Sequence, residues 1–262
     1  MDKRTFTILL LGFLSTIATG QDKVKNPILL DKSVLSGVGL EKIDLKDEPE
    51  KDFYQKRLYR GNDISIYVVS TETWNNKFEN FWFDEFIYMY HGEAIIKPQH
   101  GKAQLFHSND YFFAPKGYTG EWEIKAGKNL HYELSVITTK RADSTIISEN
   151  LEHELFDKPV LSGAHIELDK NRKFTQTLRK GVELTISLKA EEPSQSKIKD
   201  AKEMLIQLLS GMVTIKTSDN TETTFYSGDF FVIPEKMIGT WKSQGHGLIK
   251  YLTIEKTSSI TN

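Results

Sequence analysis

Apolar and polar positions alternate along short stretches of this chain, and each stretch ends at a turn residue. Residues 85–90 are dense in aromatic and β-branched side chains and stop shortly before a glycine. Residues 94–97 and 103–106 flank Gly101, while 213–216 and 223–226 flank Ser218-Asp219-Asn220, so each pair predicts a hairpin. Asn109-Asp110 and Gly228-Asp229 predict tight turns ahead of strands at 111–114 and 230–233. Residues 48–58 and 152–155 carry charge that reads as short helical turns. Alternation in the strand after Asp84 puts Glu85, Ile87 and Met89 on the inner face. Asp84, Phe86, Tyr88 and Tyr90 then face outward and need cover from a sister domain, a neighbouring subunit or the preceding segments. Short strands at regular spacing predict an all-β sandwich or barrel.

The pattern occurs twice. Gly92 and Gly211 stand 119 apart (211 − 92). Ile96/Ile215, Phe106/Phe225, Asp110/Asp229, Phe112/Phe231, Pro115/Pro234, Gly120/Gly239 and Trp122/Trp241 keep that offset, and Tyr132/Tyr251 extend it. Val34-Leu35-Ser36-Gly37 recurs as Val160-Leu161-Ser162-Gly163 at an offset of 126 (160 − 34). Two homologous domains follow, over residues 21–145 and 146–262.

The motifs that repeat resemble the cupin superfamily, and within it the two-cupin branch that includes ureidoglycine aminohydrolase. Asp84-Glu85-Phe86-Ile87-Tyr88-Met89-Tyr90-His91-Gly92-Glu93 is similar to that branch's acidic strand leading to a glycine. Asn109-Asp110 through Pro115, Gly120 and Trp122 is similar to its second motif, and Gly228-Asp229 through Pro234, Gly239 and Trp241 is a weaker copy. The resemblance implies two tandem jelly-roll barrels packed on one another. It also implies where a metal would sit: a His-x-His pair, a Glu before a Gly, and a late His.

This chain departs from that set. Glu85 matches the Glu position, but the His pair falls on Phe78 and Asn80 or on Glu79 and Phe81, and the late His on Gly120. In the second copy Met204 takes the Glu position, Glu203 is out of register by one, and the late position is Gly239. One carboxylate does not hold a transition metal, so no metal or other cofactor is expected. The candidate ligand-binding residues are therefore Glu85, Asn80, Trp122 and Trp241. Each tryptophan either packs as a core aromatic or forms a stacking floor for a small ligand. Glu85 is a structural acceptor, a solvated carboxylate or a general acid–base poised by desolvation. The seven histidines are scattered and read as surface or partner-satisfied groups; His91 and His107 share a hairpin without a third ligand.

Composition and charge narrow the remaining classes. Lys and Arg number 34 against 36 Asp and Glu, which leaves no basic footprint for nucleic acid. Cysteine is absent, which removes disulfides, thiolate nucleophiles and sulfur-ligated metals. Lys3-Arg4, an apolar run to Ala18 and the small residues before Gln21 read as a secretory signal over residues 1–20, too short to span a bilayer. The sequence thus predicts an exported protein, periplasmic or secreted, with no later membrane span and with a homo-oligomer permitted. Two functions stay open: a binding or structural cupin for a small polar ligand, or a metal-dependent aminohydrolase-like enzyme acting on a small carboxylate or ureide.

Overall fold

The computed structural model describes residues 25–45, 48–126, 130–140 and 151–258. The segment read as a secretory signal lies outside these residues. Four antiparallel sheets form two barrels. In the first, a seven-stranded sheet runs Glu154–Leu155, Tyr111–Ala114, Glu85–His91, His131–Thr138, Ile64–Thr71, Phe53–Arg60, Glu41–Lys42. It packs on a four-stranded sheet of Trp74–Phe78, Gly120–Lys125, Glu93–Pro98 and Gln104–His107. The second barrel pairs Ile28–Leu29, Phe230–Ile233, Met204–Ser210, Ile249–Lys256, Leu184–Glu191 and Lys173–Lys180 with Gln195–Ile198, Gly239–Gln244, Met212–Thr217 and Glu222–Tyr226. Two expected helical turns are strands instead: Phe53–Arg60 pairs with Ile64–Thr71, and Glu154–Leu155 pairs with Phe112 and Phe113. Glu154–Leu155 is an edge strand, and Phe53–Arg60 is covered on its outer side only at Tyr54 and Gln55 by Glu41–Lys42, so both lie where a strand tolerates charge.

The halves exchange edges. Ile28–Leu29, from the start of the chain, pairs with Val232 and Phe231 of the second barrel, while Glu154–Leu155 closes the first. Each exchanged strand leads into a short helix, Lys32–Leu35 or Lys158–Ser162, which accounts for the repeated Val-Leu-Ser-Gly motif. Lys32 pairs with Asp229 at 2.6 Å and Lys158 with Asp110 at 2.9 Å, fixing both straps to the turn aspartates.

Strand alternation separates three cores. Ile87 and Met89 lie inside the first barrel with Ile96, Phe106 and Phe112. Leu208, Val213, Phe225 and Phe231 fill the second. Between the barrels, Ile66, Phe86, Leu134 and Val136 of one share a single cluster with Ile186, Leu205, Phe230 and Ile254 of the other. The outer aromatics are thus covered by the sister barrel and its strap: Tyr88 lies 5.6 Å from Phe230 and Phe86 lies 6.3 Å from Phe156, centroid to centroid.

Buried carboxylates lock this interface reciprocally. Asp84 accepts the backbone N–H groups of Lys116, Glu183 and Leu184 at 2.9, 2.6 and 3.2 Å. Glu203, its counterpart at the repeat offset, accepts those of Asn62, Asp63 and Ile64 at 3.0, 3.0 and 2.8 Å. Each acid therefore caps a hairpin turn of the other barrel. Its position one residue before the expected metal-binding Glu puts it on the outer face, where that turn arrives. Among the described residues, no helix is long and apolar enough to cross a membrane.

Candidate functional site

Among the described residues, the first barrel carries an aromatic cavity with buried acids. The strand His131–Thr138 presents His131, Glu133, Ser135 and Ile137 to it, as a period of two requires, and Glu85 joins them from the adjacent strand. All four polar members are less than a tenth exposed. The cavity encloses about 120 Å³, room for a ligand of about benzene size. Its opposite wall is Trp122, packed against Phe78 and Phe81 at 5.1 and 5.3 Å.

The electrostatics of this ladder are unusual. Ser135 donates its hydroxyl to Glu85, and His131 Nε2 lies 2.7 Å from Glu133 Oε2. Burial pushes the Glu85 carboxyl up to about 8; the nearby Glu133 charge adds to the rise and the Ser135 hydroxyl opposes it. Glu85 consequently holds its proton at neutral pH and can exchange it there. Trp122 Nε1 is buried without a hydrogen-bond partner among the described residues.

Placement of the other expected residues varies. Trp241 lies inside the second barrel and donates Nε1–H to Glu191 at 2.7 Å. Asn80 is exposed, in a turn with φ of 55°, and stays outside the cavity, whose lining includes Asn76 instead. A left-handed turn is a conformation asparagine tolerates, which explains why that residue stands there.

His131, Glu133 and Ser135 were not singled out from the sequence, although their i, i+2 spacing on one strand was visible. The repeat itself hid them. In the second barrel Ile249 pairs with Glu191, whereas in the first His131 pairs with Thr71, so the offset here is 118 (249 − 131). The connection before the strand has five residues, 126–130, in the first copy and four, 245–248, in the second. Tyr251 therefore corresponds to Glu133 and not to Tyr132. In this register the second barrel replaces Glu85, His131, Glu133 and Ser135 with Met204, Ile249, Tyr251 and Thr253. The Tyr251 ring, at the position of Glu133, lies 5.4 Å from Trp241 and packs against the second barrel's core.

His153 is also placed unexpectedly, since it is neither at the surface nor satisfied. It arrives on the exchanged strap, and its ring packs 4.5 Å from Tyr118 and 5.0 Å from Trp122. Both ring nitrogens lack partners among the described residues, and burial drives its basicity down to about 3. Gln104 holds the strap there, donating to the His153 carbonyl at 2.7 Å and accepting its backbone N–H at 3.1 Å. His91, His100, His107, His165 and His246 are exposed.

The metal set of the fold family does not fit these residues. A Cβ at Gly120 would collide with the Tyr118 hydroxyl and the Lys97 carbonyl, and one at Gly239 would lie 2.5 Å from the Lys216 carbonyl. Neither position can project an imidazole. His131 spends Nε2 on Glu133, and no cluster of three His, Asp or Glu side chains placed to hold a metal occurs among the described residues.

Comparison with known proteins agrees with the architecture. The family model for the EutQ-like cupin domain matches residues 68–132 and again 179–251, more than half of the chain. No curated protein matches in sequence. Among solved structures, a cupin 2 conserved barrel domain protein from Leptotrichia buccalis superposes with a TM-score of 0.58 at 13% identity, over 91% of this chain and 100% of its own. Protein Ylba from E. coli gives 0.55 at 15% identity, over 93% and 97%. A salicylate 1,2-dioxygenase variant from Pseudoaminobacter salicylatoxidans gives 0.59 at 8%, over 91% and 86%. Identities this low speak for the fold alone. The chain belongs to the EutQ-like cupin family and carries two copies of its domain.

Proposed function

We propose that this protein binds a small organic molecule in its first barrel, and that the second barrel is a structural partner that covers the first barrel's outer face. The observation that carries the reading is the asymmetry of the two copies. One keeps an open cavity with a polar ladder under Trp122, whereas its copy sets Tyr251 at the Glu133 position against Trp241 and satisfies Trp241 through Glu191. Glu133→Tyr would write the second barrel's pattern into the first. A ligand-observed NMR screen of fragments should give hits on the wild-type protein that disappear with Glu133→Tyr. No hits, or hits that persist in a folded variant, would overturn the reading.

A second reading, proton-transfer catalysis in the same cavity, is supported by the Glu85 carboxyl poised near neutral pH. Glu85→Gln would then abolish turnover of any cavity ligand that is consumed; an unchanged rate would take Glu85 out of the chemistry. We carry the ureidoglycine aminohydrolase branch as the finer family reading on the motifs at 84–93 and 109–122, without the branch's metal chemistry. Export is part of this proposal as well and rests on the leader-like residues 1–20. The mass of the protein recovered from its source cells should correspond to a chain starting near Gln21, and an intact Met1 terminus would refute it.

A further inference from the structure

Buried carboxylates elsewhere in this molecule are compensated. Asp84 and Glu203 each accept three backbone N–H groups, Glu183 meets Lys116 Nζ at 2.7 Å, and Asp110 meets Lys158 at 2.9 Å. Glu85 is the exception, with one serine hydroxyl and a second carboxylate, Glu133, beside it. The titratable side chains facing this cavity are Glu85, Glu133, His131 and Tyr67, and no Lys or Arg is among the described lining residues. Glu133 has His131 at 2.7 Å, so Glu85 is the acid that faces the cavity with neither a cation nor a backbone N–H beside it among the described lining residues. The opposite wall is aromatic, and an indole face attracts positive charge through its quadrupole.

From this we infer that the ligand of the first barrel is an organic cation, an amine or ammonium compound whose charged head sits at Glu85 and Glu133 and whose apolar body lies against Trp122 and Phe81. The inference rests on the binding reading above and adds the chemical class. A carboxylate ligand would meet like charge at the acidic wall, where His131, the basic side chain of the described lining, is already bonded to Glu133. A neutral ligand would leave Glu85 protonated and supply no counter-charge for its ionised form. An ammonium group supplies the missing charge and donates N–H bonds to acceptor oxygens, and Glu85 gives up its proton to solvent as the cation enters.

Three probes of one size separate these classes: benzylamine, benzyl alcohol and benzoate, titrated calorimetrically into the full-length protein at pH 8. Benzylamine should bind at least tenfold more tightly than benzyl alcohol, and benzoate should not bind. Glu85→Gln should shrink the preference for the amine to threefold or less while benzyl alcohol affinity holds, a split that simple unfolding of the variant does not produce. Benzoate binding as well as benzylamine, or no binding of benzylamine at all, overturns the cation assignment. The binding reading is judged separately, by whether fragments of any charge lose their signal with Glu133→Tyr.

Discussion

Glu85→Gln should stabilise this protein, and by an amount that depends on pH. In the folded state burial and the Glu133 charge raise the carboxyl from 4.5 to about 8. Between those values the folded chain binds a proton that the unfolded chain has released, so wild-type stability falls as pH rises from 4.5 to 8. Each pH unit in that window costs about 1.4 kcal/mol. At pH 7 the loss is about 3 kcal/mol, and glutamine, which keeps the Ser135 hydrogen bond without a titrating proton, does not incur it. For a chain of this size that difference raises Tm by about 6–12 °C at pH 7 and by almost nothing at pH 4.5. His131 and Glu133 from the neighbouring strand and Tyr67 from the next are the other titratable groups facing the cavity, and all three are unchanged in the variant. Differential scanning calorimetry of both proteins from pH 4.5 to 8.5 reads the slope directly. Equal Tm values at pH 8, or a variant less stable than wild type there, would refute the description of Glu85 as a buried, protonated acid.

His153 should give the opposite slope. Burial keeps it neutral down to about pH 3 while the unfolded chain protonates near 6.5, so stability falls as pH drops below 6.5. His153→Phe should remove about 3 kcal/mol of that loss at pH 4, measured by urea unfolding, and an unchanged acid limb would contradict the placement of the ring. Glu203→Ala strands the N–H groups of the Asn62–Ile64 turn and should cost about 3–5 kcal/mol in chemical denaturation. A cost below about 1 kcal/mol would mean that the cap does not hold the barrels together.

The chain's pattern revealed the architecture well because its strongest signals are local and repeated. Asp110 and Asp229 recur because each accepts a backbone N–H three residues back, from His107 and from Tyr226. Phe86 and Tyr88 alternate with Ile87 because the sheet has a core on each face. The candidate site was harder to read. Glu85 and Trp122 stood out through their motifs, but Glu133 was concealed by a one-residue difference in the connection before its strand, which made Tyr132 look like the partner of Tyr251. Asn80 shared the sequence neighbourhood of the cavity and not its space, because a positive φ turns the chain there. The edge exchange was invisible for a different reason. Strands as short as Ile28–Leu29 and Glu154–Leu155 have no period of their own, and their pairing is decided by where the straps are anchored.

The asymmetry between the barrels is the claim on which the functional reading stands, and a crystal structure of the protein soaked with a cocktail of small fragments tests it most directly. Fragment density should appear in the first barrel, bounded by Trp122, Glu85 and Glu133, while the interior of the second is filled by Tyr251 against Trp241. Density in the second barrel, or a first barrel closed by its own side chains, would contradict the account.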